Sequence, residues 1–211
     1  MHEEGSFDPD DEEWAEAVRL MREARQKSRG YAEYWEWLID PSRAELHAAC
    51  VLRNFLVAAG EKASGPLNLV RPDPPDVMVE SLDGRRIGIE VTELVDGDTI
   101  KRHRYRKKRG EPPAFDFAVW TPGRIAEALS ALIGTKDHKL RNASDRFDEL
   151  LVAIVTDEPA IDQWIARAGV SQCRPTVRHI DRAFLVISYH PDNNVSVYPD
   201  RCLVLPIELR A

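Results

Sequence analysis

Two acidic residues on neighbouring predicted strands are candidates to bind a metal ion together. Asp76 follows Pro75 at the start of the first strand, and Glu90 lies within the second, in IGIEVTEL. The β-branched runs on both sides of Asp83-Gly84 predict a hairpin that joins these strands. Two carboxylates that meet repel each other unless a cation lies between them, and Mg²⁺ or Mn²⁺ prefers oxygen ligands. The pair predicts either a divalent-metal site or two solvated acids on a surface hairpin.

The predicted register of this hairpin separates the two acids. A two-residue turn at Asp83-Gly84, followed by strict antiparallel pairing, places Asp76 opposite Val91. Side chains alternate along a strand, so this register puts Asp76 and Glu90 on opposite faces of the sheet. Their meeting therefore requires a bulge or a bend at Asp76.

Two lysines on a later predicted helix could face the acids. In the helix predicted over residues 123–140, Lys136 continues an apolar stripe at helical spacing, and Lys139 lies one turn further on. A lysine on an inward face has to reach solvent or meet an anion. Lys136 is the first candidate and Lys139 the alternative. If the helix ends near Gly134 instead, both lysines only complement its C-terminal dipole.

A further carboxylate lies on an earlier predicted helix. Asp40-Pro41 is typical of a helix start, and the helix is expected to run to about Ala59 and to stop at Gly60. Glu45 is at the head of its apolar face. A carboxylate in that position lies at the rim of the core or is held there for chemistry.

A dense run of positive charge follows the second acid. Residues 101–109, KRHRYRKKR, hold seven Lys or Arg and no acid, and we interpret them as part of a polar loop over residues 95–114. Lys and Arg bind phosphates independently of base sequence, and Tyr105 and His103 could stack on a base. The candidate nucleic-acid-binding residues are Lys101, Arg102, Arg104, Tyr105, Arg106, Lys107, Lys108 and Arg109. The alternatives are a solvated loop, or one that contacts the acidic N-terminus of this or another chain until nucleic acid displaces it.

Composition excludes several classes of protein. The 211 residues are 43% hydrophobic and 31% charged, which is enough for a sizeable core and argues against disorder. No apolar segment approaches the roughly 18–20 residues of a membrane span. The acidic N-terminus does not resemble a secretory signal, and three dispersed cysteines suit reduced thiols, so we expect a cytoplasmic protein.

The chain divides into an extension and a domain. Residues 1–40 are predicted to form an acidic, aromatic-rich helical extension, and residues 41–211 an α/β domain. Residues 1–16 alone hold eight acids and no Lys or Arg. The tryptophans and tyrosines of the extension are candidates for the interface of a homodimer.

The order of predicted elements indicates an α/β fold with a mixed central sheet and a helix on each face. After the hairpin come FDFAVW as a further strand, the helix over 123–140 and the buried strand ELLVAIVTDEP. A short helix over 161–168, closed by Gly169, precedes the strands AFLVISYH, VSVYP and CLVLPIEL.

The order of acids and elements over residues 42–156 resembles the PD-(D/E)XK nuclease superfamily. The resemblance implies a restriction-endonuclease-like fold and divalent-metal-dependent cleavage of phosphodiester bonds. Asp76 and Glu90 match the metal-binding acids, and the Val91 carbonyl matches a backbone ligand. Glu45 matches an acid that some members carry on the first helix.

The chain departs from this family at one position. The motif lysine belongs two residues after the second acid, where this chain has Thr92. The resemblance allows a lysine on a neighbouring helix to take its place, and Lys136, or alternatively Lys139, is that candidate. The expectation is a Mg²⁺-dependent or Mn²⁺-dependent endonuclease, with DNA ahead of RNA as its substrate. The alternatives are an inactive nucleic-acid-binding module and a protein-interaction domain.

Overall fold

A six-stranded mixed sheet is the centre of the fold. The computed structural model describes residues 41–111, 118–187 and 202–210. Within these ranges the chain is α/β, with helices on both faces of the sheet, as predicted. The predicted extension over residues 1–40, the dimer interface assigned to it and the predicted strand VSVYP lie outside the described residues.

The strands follow one another across the sheet in chain order. The described helices are α1 (Pro41–Ala58), α2 (Gly97–Lys108), α3 (Pro122–Leu140) and α4 (Gln163–Gln172). The described strands are β1 (Leu67–Leu69), β2 (Val77–Glu80), β3 (Arg86–Glu93), β4 (Glu149–Thr156), β5 (Arg182–Ile187) and β6 (Leu203–Ile207). Strands β3, β4 and β5 are parallel, and the other neighbouring pairs are antiparallel. Strand β1 was not predicted.

Two apolar layers hold the sheet between the helices. Helix α1 packs on one face, where it covers alternate residues of β3 such as Ile89 and Val91. Helices α3 and α4 pack on the other face, against residues of β4 such as Val152. Because side chains alternate, the intervening residue of β3, Glu90, points toward α3.

The two longest helices begin where the sequence predicts. Helix α1 starts at Pro41 and ends at Ala58, just before Gly60. Helix α3 starts at Pro122, and the Thr121 hydroxyl caps it by accepting a hydrogen bond from the Arg124 N–H at 3.2 Å. It continues through Gly134 to Leu140, so the alternative of an early end is wrong.

The hairpin between β2 and β3 has a three-residue loop, not the predicted two-residue turn. The Ser81 N–H donates to the Arg85 carbonyl at 2.8 Å, which leaves residues 82–84 as the loop. Gly84 has φ of 80°, the left-handed conformation that the last residue of such a loop commonly adopts. Arg85 therefore pairs with Ser81, whereas a two-residue turn at Asp83-Gly84 would pair it with Leu82.

This loop corrects the predicted register by one residue. The ladder pairs Val77 with Ile89, so the preceding Asp76 falls opposite Glu90 rather than opposite Val91. Opposite residues of an antiparallel pair share a face. The predicted bulge at Asp76 is therefore unnecessary, and both acids lie on the same side of the sheet.

The basic run is helical, and its assignment to a polar loop was wrong. The Asp96 carboxylate caps α2 by accepting a hydrogen bond from the Thr99 N–H at 2.6 Å. Lys and Arg are good helix formers and suit the last turn of a helix. The sequence lacked an apolar stripe to reveal this helix, because only Thr99, Ile100 and His103 are buried along it.

Two smaller expectations also fail. Helix α4 passes through Gly169 instead of ending there. The glycine lets α4 pack closely on α3, since an added Cβ would lie 2.6 Å from Ile125 Cγ2. In the predicted strand FDFAVW, residues 118–120 are not a strand, and residues before 118 lie outside the described ranges.

Among the helices that the structure describes, none is both long and apolar enough to cross a membrane.

Candidate metal centre

Asp76 and Glu90 meet on the face of the sheet that α3 covers. Their side chains are buried, with 6% and 0% exposure respectively. One Asp76 oxygen, Oδ2, accepts a hydrogen bond from the Val91 N–H at 2.7 Å. Glu90 lies within β3, beside Val152 of β4, so neither acid is a solvated surface residue.

Both candidate lysines reach Glu90 from α3. Lys136 Nζ lies 2.6 Å from Glu90 Oε1 and 3.3 Å from the Val91 carbonyl oxygen. Lys139 Nζ lies 2.8 Å from the same Glu90 oxygen. Thr92 stands two residues after Glu90 on β3, so the positive charge near the acids comes from a neighbouring helix.

A third acid, Asp73, belongs to the cluster and was not predicted. Lys139 Nζ lies 2.9 Å from Asp73 Oδ1, and one carboxylate oxygen from each of Asp73, Asp76 and Glu90 lies within 4.8 Å of the others. The Arg146 guanidinium donates to the Pro74 carbonyl, which ties this segment to the fold. No pattern in the sequence marks Asp73, because it lies before β2 in a segment that forms neither strand nor helix.

Glu45 borders the cluster. It lies in the second turn of α1, and its Oε2 is 3.9 Å from an Arg71 guanidinium nitrogen. That oxygen is buried and has no hydrogen-bond partner among the described residues. Burial raises the pKa of Glu45, and Arg71 offsets part of this effect. Glu45 is therefore near the three acids that meet, but is not one of them.

Burial and like charge shape the titration of the cluster. Burial raises the pKa of Asp76 to about 6, with a further contribution from the Glu90 charge, while the hydrogen bond from Val91 opposes both. Burial alone would lower the pKa of Lys139. The hydrogen bonds to Glu90 and Asp73 outweigh that burial, so the pKa of Lys139 is raised.

The donor set fits a hard divalent cation. Three carboxylates converge, and Glu90 Oε2 is buried with no hydrogen-bond partner within the described ranges. An ionised buried oxygen without a partner is costly, and a cation would satisfy it. Oxygen-only ligands suit Mg²⁺ or Mn²⁺. The Val91 carbonyl also faces the cluster, although Lys136 contacts it in this structure.

The raised pKa of Asp76 predicts pH-dependent metal binding. Below about pH 6 the metal-free chain carries a proton on Asp76, which a bound cation has to displace. We expect the affinity for Mn²⁺ to fall about tenfold per pH unit below pH 6 and to level off above pH 7. Mn²⁺ titrations followed by electron paramagnetic resonance between pH 5 and 7.5 measure this. An affinity that stays constant from pH 5 to 7 contradicts it.

The predicted nucleic-acid-binding residues lie on and directly after α2. Seven of them are exposed and one, Arg106, is half-buried. Tyr105 is 60% exposed, and the Arg109 guanidinium lies 5.5 Å from the centre of its ring. His103 is only 6% exposed, so its suggested stacking on a base was wrong. Helix α2 follows β3 after residues 94–96, close in sequence to the acidic cluster.

Comparisons with known proteins give no assignment. No family model matches the chain, and neither the curated proteins nor the solved structures contain a significant match. A functional proposal for this chain therefore depends on the geometry and chemistry of its own residues.

Proposed function

We propose that the chain is a divalent-metal-dependent nuclease that hydrolyses phosphodiester bonds, with DNA ahead of RNA as substrate. In this proposal its α/β domain is restriction-endonuclease-like, of the PD-(D/E)XK kind. One observation carries the proposal: Asp73, Asp76, Glu90 and Lys136 converge at one point of the sheet. The unpartnered Glu90 Oε2 supports a cation at that point.

Three carboxylates would hold the metal ion. Asp73, Asp76 and Glu90 would bind Mg²⁺ or Mn²⁺, and Glu45, which interacts electrostatically with Asp73 and Glu90, would bind through water. Such an ion, when bound, polarises a phosphate oxygen and lowers the pKa of a bound water. The sheet and α3 bury Asp76 and Glu90, which strengthens their electrostatic interactions, while Asp73 is exposed at the edge of the cluster.

Lys136 is the residue best placed to act on substrate. A lysine ammonium has three hydrogen-bond donors, and two of those on Lys136 face Glu90 Oε1 and the Val91 carbonyl. The third donor remains for a water or a phosphate oxygen. In that position the positive charge of the lysine offsets the negative charge that develops at phosphorus. Lys139 contacts two acids, Glu90 and Asp73, and we assign it the role of holding them together.

Helix α2 would supply affinity for the nucleic-acid backbone. We expect replacement of Lys101, Arg104 and Lys108 by glutamine to weaken binding of a 20-base-pair DNA at least tenfold. The slope of log K against log salt should become shallower by about 2–3, because three fewer phosphates are neutralised. Fluorescence anisotropy in EDTA, where cleavage is absent, measures both quantities.

A matched control removes the same charge elsewhere. Lys62, Arg167 and Arg178 are exposed and lie outside α2. Their replacement by glutamine should change the salt slope by less than the α2 substitutions do. If both triple variants behave alike, α2 is not the DNA-binding surface.

A cleavage assay tests the proposal directly. Supercoiled plasmid, single-stranded DNA and RNA are incubated with the protein in Mg²⁺, Mn²⁺ or EDTA, with Asp76→Ala as the control for contaminating nucleases. We expect metal-dependent cutting of DNA that disappears in the variant. No cutting of any substrate by folded protein would refute nuclease activity.

Nucleic-acid binding without cleavage is the second candidate. It is favoured by the two lysines that share Glu90 Oε1, because they neutralise an acid that a metal would otherwise bind. Thr92 at the motif-lysine position also favours binding without cleavage. DNA binding by the wild-type chain, with no metal-dependent cutting under any condition, would identify this function.

A further inference from the structure

The distribution of charge along the chain pairs two segments. The acidic segment, defined as residues 1–16, holds eight acids and no Lys or Arg, while residues 101–109 hold seven Lys or Arg and no acid. The cationic helix α2 and its cap present most of those seven on the surface. Ion pairs with Asp98 and Glu111 are solvent-exposed, and such pairs contribute little. The density of positive charge on this helix suits a polyanionic partner.

The described domain begins with α1, which packs on the strand that precedes the cationic helix. Glu45, four residues into α1, interacts electrostatically with Glu90 of β3. Strand β3 then ends at Glu93, and α2 begins at Gly97. Helix α1 packs on β3, and α2 follows β3 after residues 94–96, so both helices adjoin the same strand.

Residues 17–40 are long enough to bring the acidic segment to α2. These 24 residues span about 36 Å as a helix, or about 27 Å as a flexible chain. A domain of this size has a radius of gyration of about 16 Å. Both lengths exceed this radius, so the length of the connection does not prevent contact with α2.

We propose that the acidic segment of the chain binds its own cationic helix α2 and competes with nucleic acid for that surface. The proposal rests on the proposed function, because it regulates the same binding surface. The segment acts as an internal polyanion, which DNA has to displace before it reaches the helix. Carboxylates thereby take the place of backbone phosphates on the same lysines and arginines.

A weak contact is sufficient because the two segments belong to one chain. A short tether gives an effective concentration of about 1 mM. A contact with a dissociation constant of about 0.1 mM would then occupy α2 for about nine-tenths of the time. The apparent affinity for DNA would be about tenfold lower than that of the open form.

The test removes the charge of the segment and keeps its length. The variant replaces each acid by its amide at Glu3, Glu4, Asp8, Asp10, Asp11, Glu12, Glu13 and Glu16. Binding to a 20-base-pair DNA is measured in EDTA at 50 mM NaCl. We expect the variant to bind about tenfold more tightly than the wild type. This ratio should approach one as salt increases, because salt screens the internal contact. Equal affinities at 50 mM NaCl would overturn the proposal.

A second measurement requires neither nucleic acid nor metal. A labelled peptide of residues 1–16 is titrated with the amide variant, whose own segment can no longer compete. We expect binding near 0.1 mM that is lost when Lys101, Arg104 and Lys108 are also replaced by glutamine. No peptide binding would overturn the proposed contact. Peptide binding by a chain that binds no DNA would instead refute the proposed function and leave the contact standing.

The protein concentration distinguishes contact within one chain from contact between chains. The tenfold difference in DNA affinity should be the same at protein concentrations from 10 nM to 10 µM. A difference that appears only at the higher concentrations would assign the contact to a second copy and overturn the proposal as stated.

Discussion

Replacement of Asp76 by asparagine is expected to lower metal-dependent cleavage by about 10³-fold and to leave the fold intact. The amide oxygen can still accept the hydrogen bond that Asp76 receives from Val91 at 2.7 Å, so the local structure is retained. The anionic ligand is lost, however, and the remaining acids bind a divalent cation less well. The expected loss is at the upper end of what removal of one electrostatic stabiliser costs an enzyme.

The same substitution should stabilise the metal-free protein above pH 6. The pKa of Asp76 is raised to about 6 in the fold from a usual value of 3.8, so folding favours the neutral form. That stabilisation is complete below pH 4 and is lost as the pH rises through 6. Asparagine does not titrate. Urea unfolding in EDTA should therefore show the variant gaining stability relative to the wild type between pH 4 and 6.

Asp148 provides a matched control for this experiment. Its Oδ2 accepts a hydrogen bond from the Arg86 N–H at 2.7 Å, the same kind of contact at the other end of β3. Asp148→Asn should leave cleavage within about threefold of the wild type and should not reproduce the pH-dependent stabilisation. Undiminished cleavage by Asp76→Asn would exclude Asp76 from the proposed active site.

Lys136→Gln is expected to lower kcat by about 10²–10³-fold, and Lys139→Gln by only about tenfold. Lys136 has a donor to spare for water or phosphate, and its side chain is only 17% exposed. Glutamine retains a donor but supplies no charge in the transition state. Thr92→Ala should change kcat by less than threefold, because the lysine charge comes from α3.

Metal affinity separates a catalytic lysine from a structural one. Removal of Lys136 leaves Lys139 on Glu90, so the acid keeps a cationic partner and the fold should persist. Mn²⁺ should bind the Lys136→Gln variant at least as tightly as the wild type, because one competitor for Glu90 is gone. A loss of kcat without a loss of metal affinity assigns Lys136 to chemistry. If Lys139→Gln loses more kcat than Lys136→Gln, the catalytic role belongs to Lys139.

The elements with strong local signals could be predicted from the sequence. The sequence pairs Asp40-Pro41 and Thr121-Pro122 mark the starts of α1 and α3, and a fully apolar run marks the buried strand β4. The apolar stripe of α3 also pointed to Lys136 as an inward-facing residue. The contact of Lys136 with Glu90 follows once this helix covers the sheet.

Features that depend on tertiary contacts could not be predicted from the sequence. Asp83-Gly84 fits a two-residue turn locally, but the buried faces of β2 and β3 select a register one residue away. Helix α2 has few buried residues and so gives no periodic apolar signal. Asp73 lies in neither a strand nor a helix. Only the folded position of residues 71–76 brings its carboxylate to that of Asp76.

The three-residue hairpin loop has a consequence for how this site could vary among relatives. Leu82 at its tip is 78% exposed, whereas Val77 and Ile89 are buried against α1 and hold the two strands in register. Insertions or deletions at the tip would therefore leave Asp76 opposite Glu90. Homologous chains should tolerate different intervals between these two acids, and a search motif that requires a constant interval would overlook them.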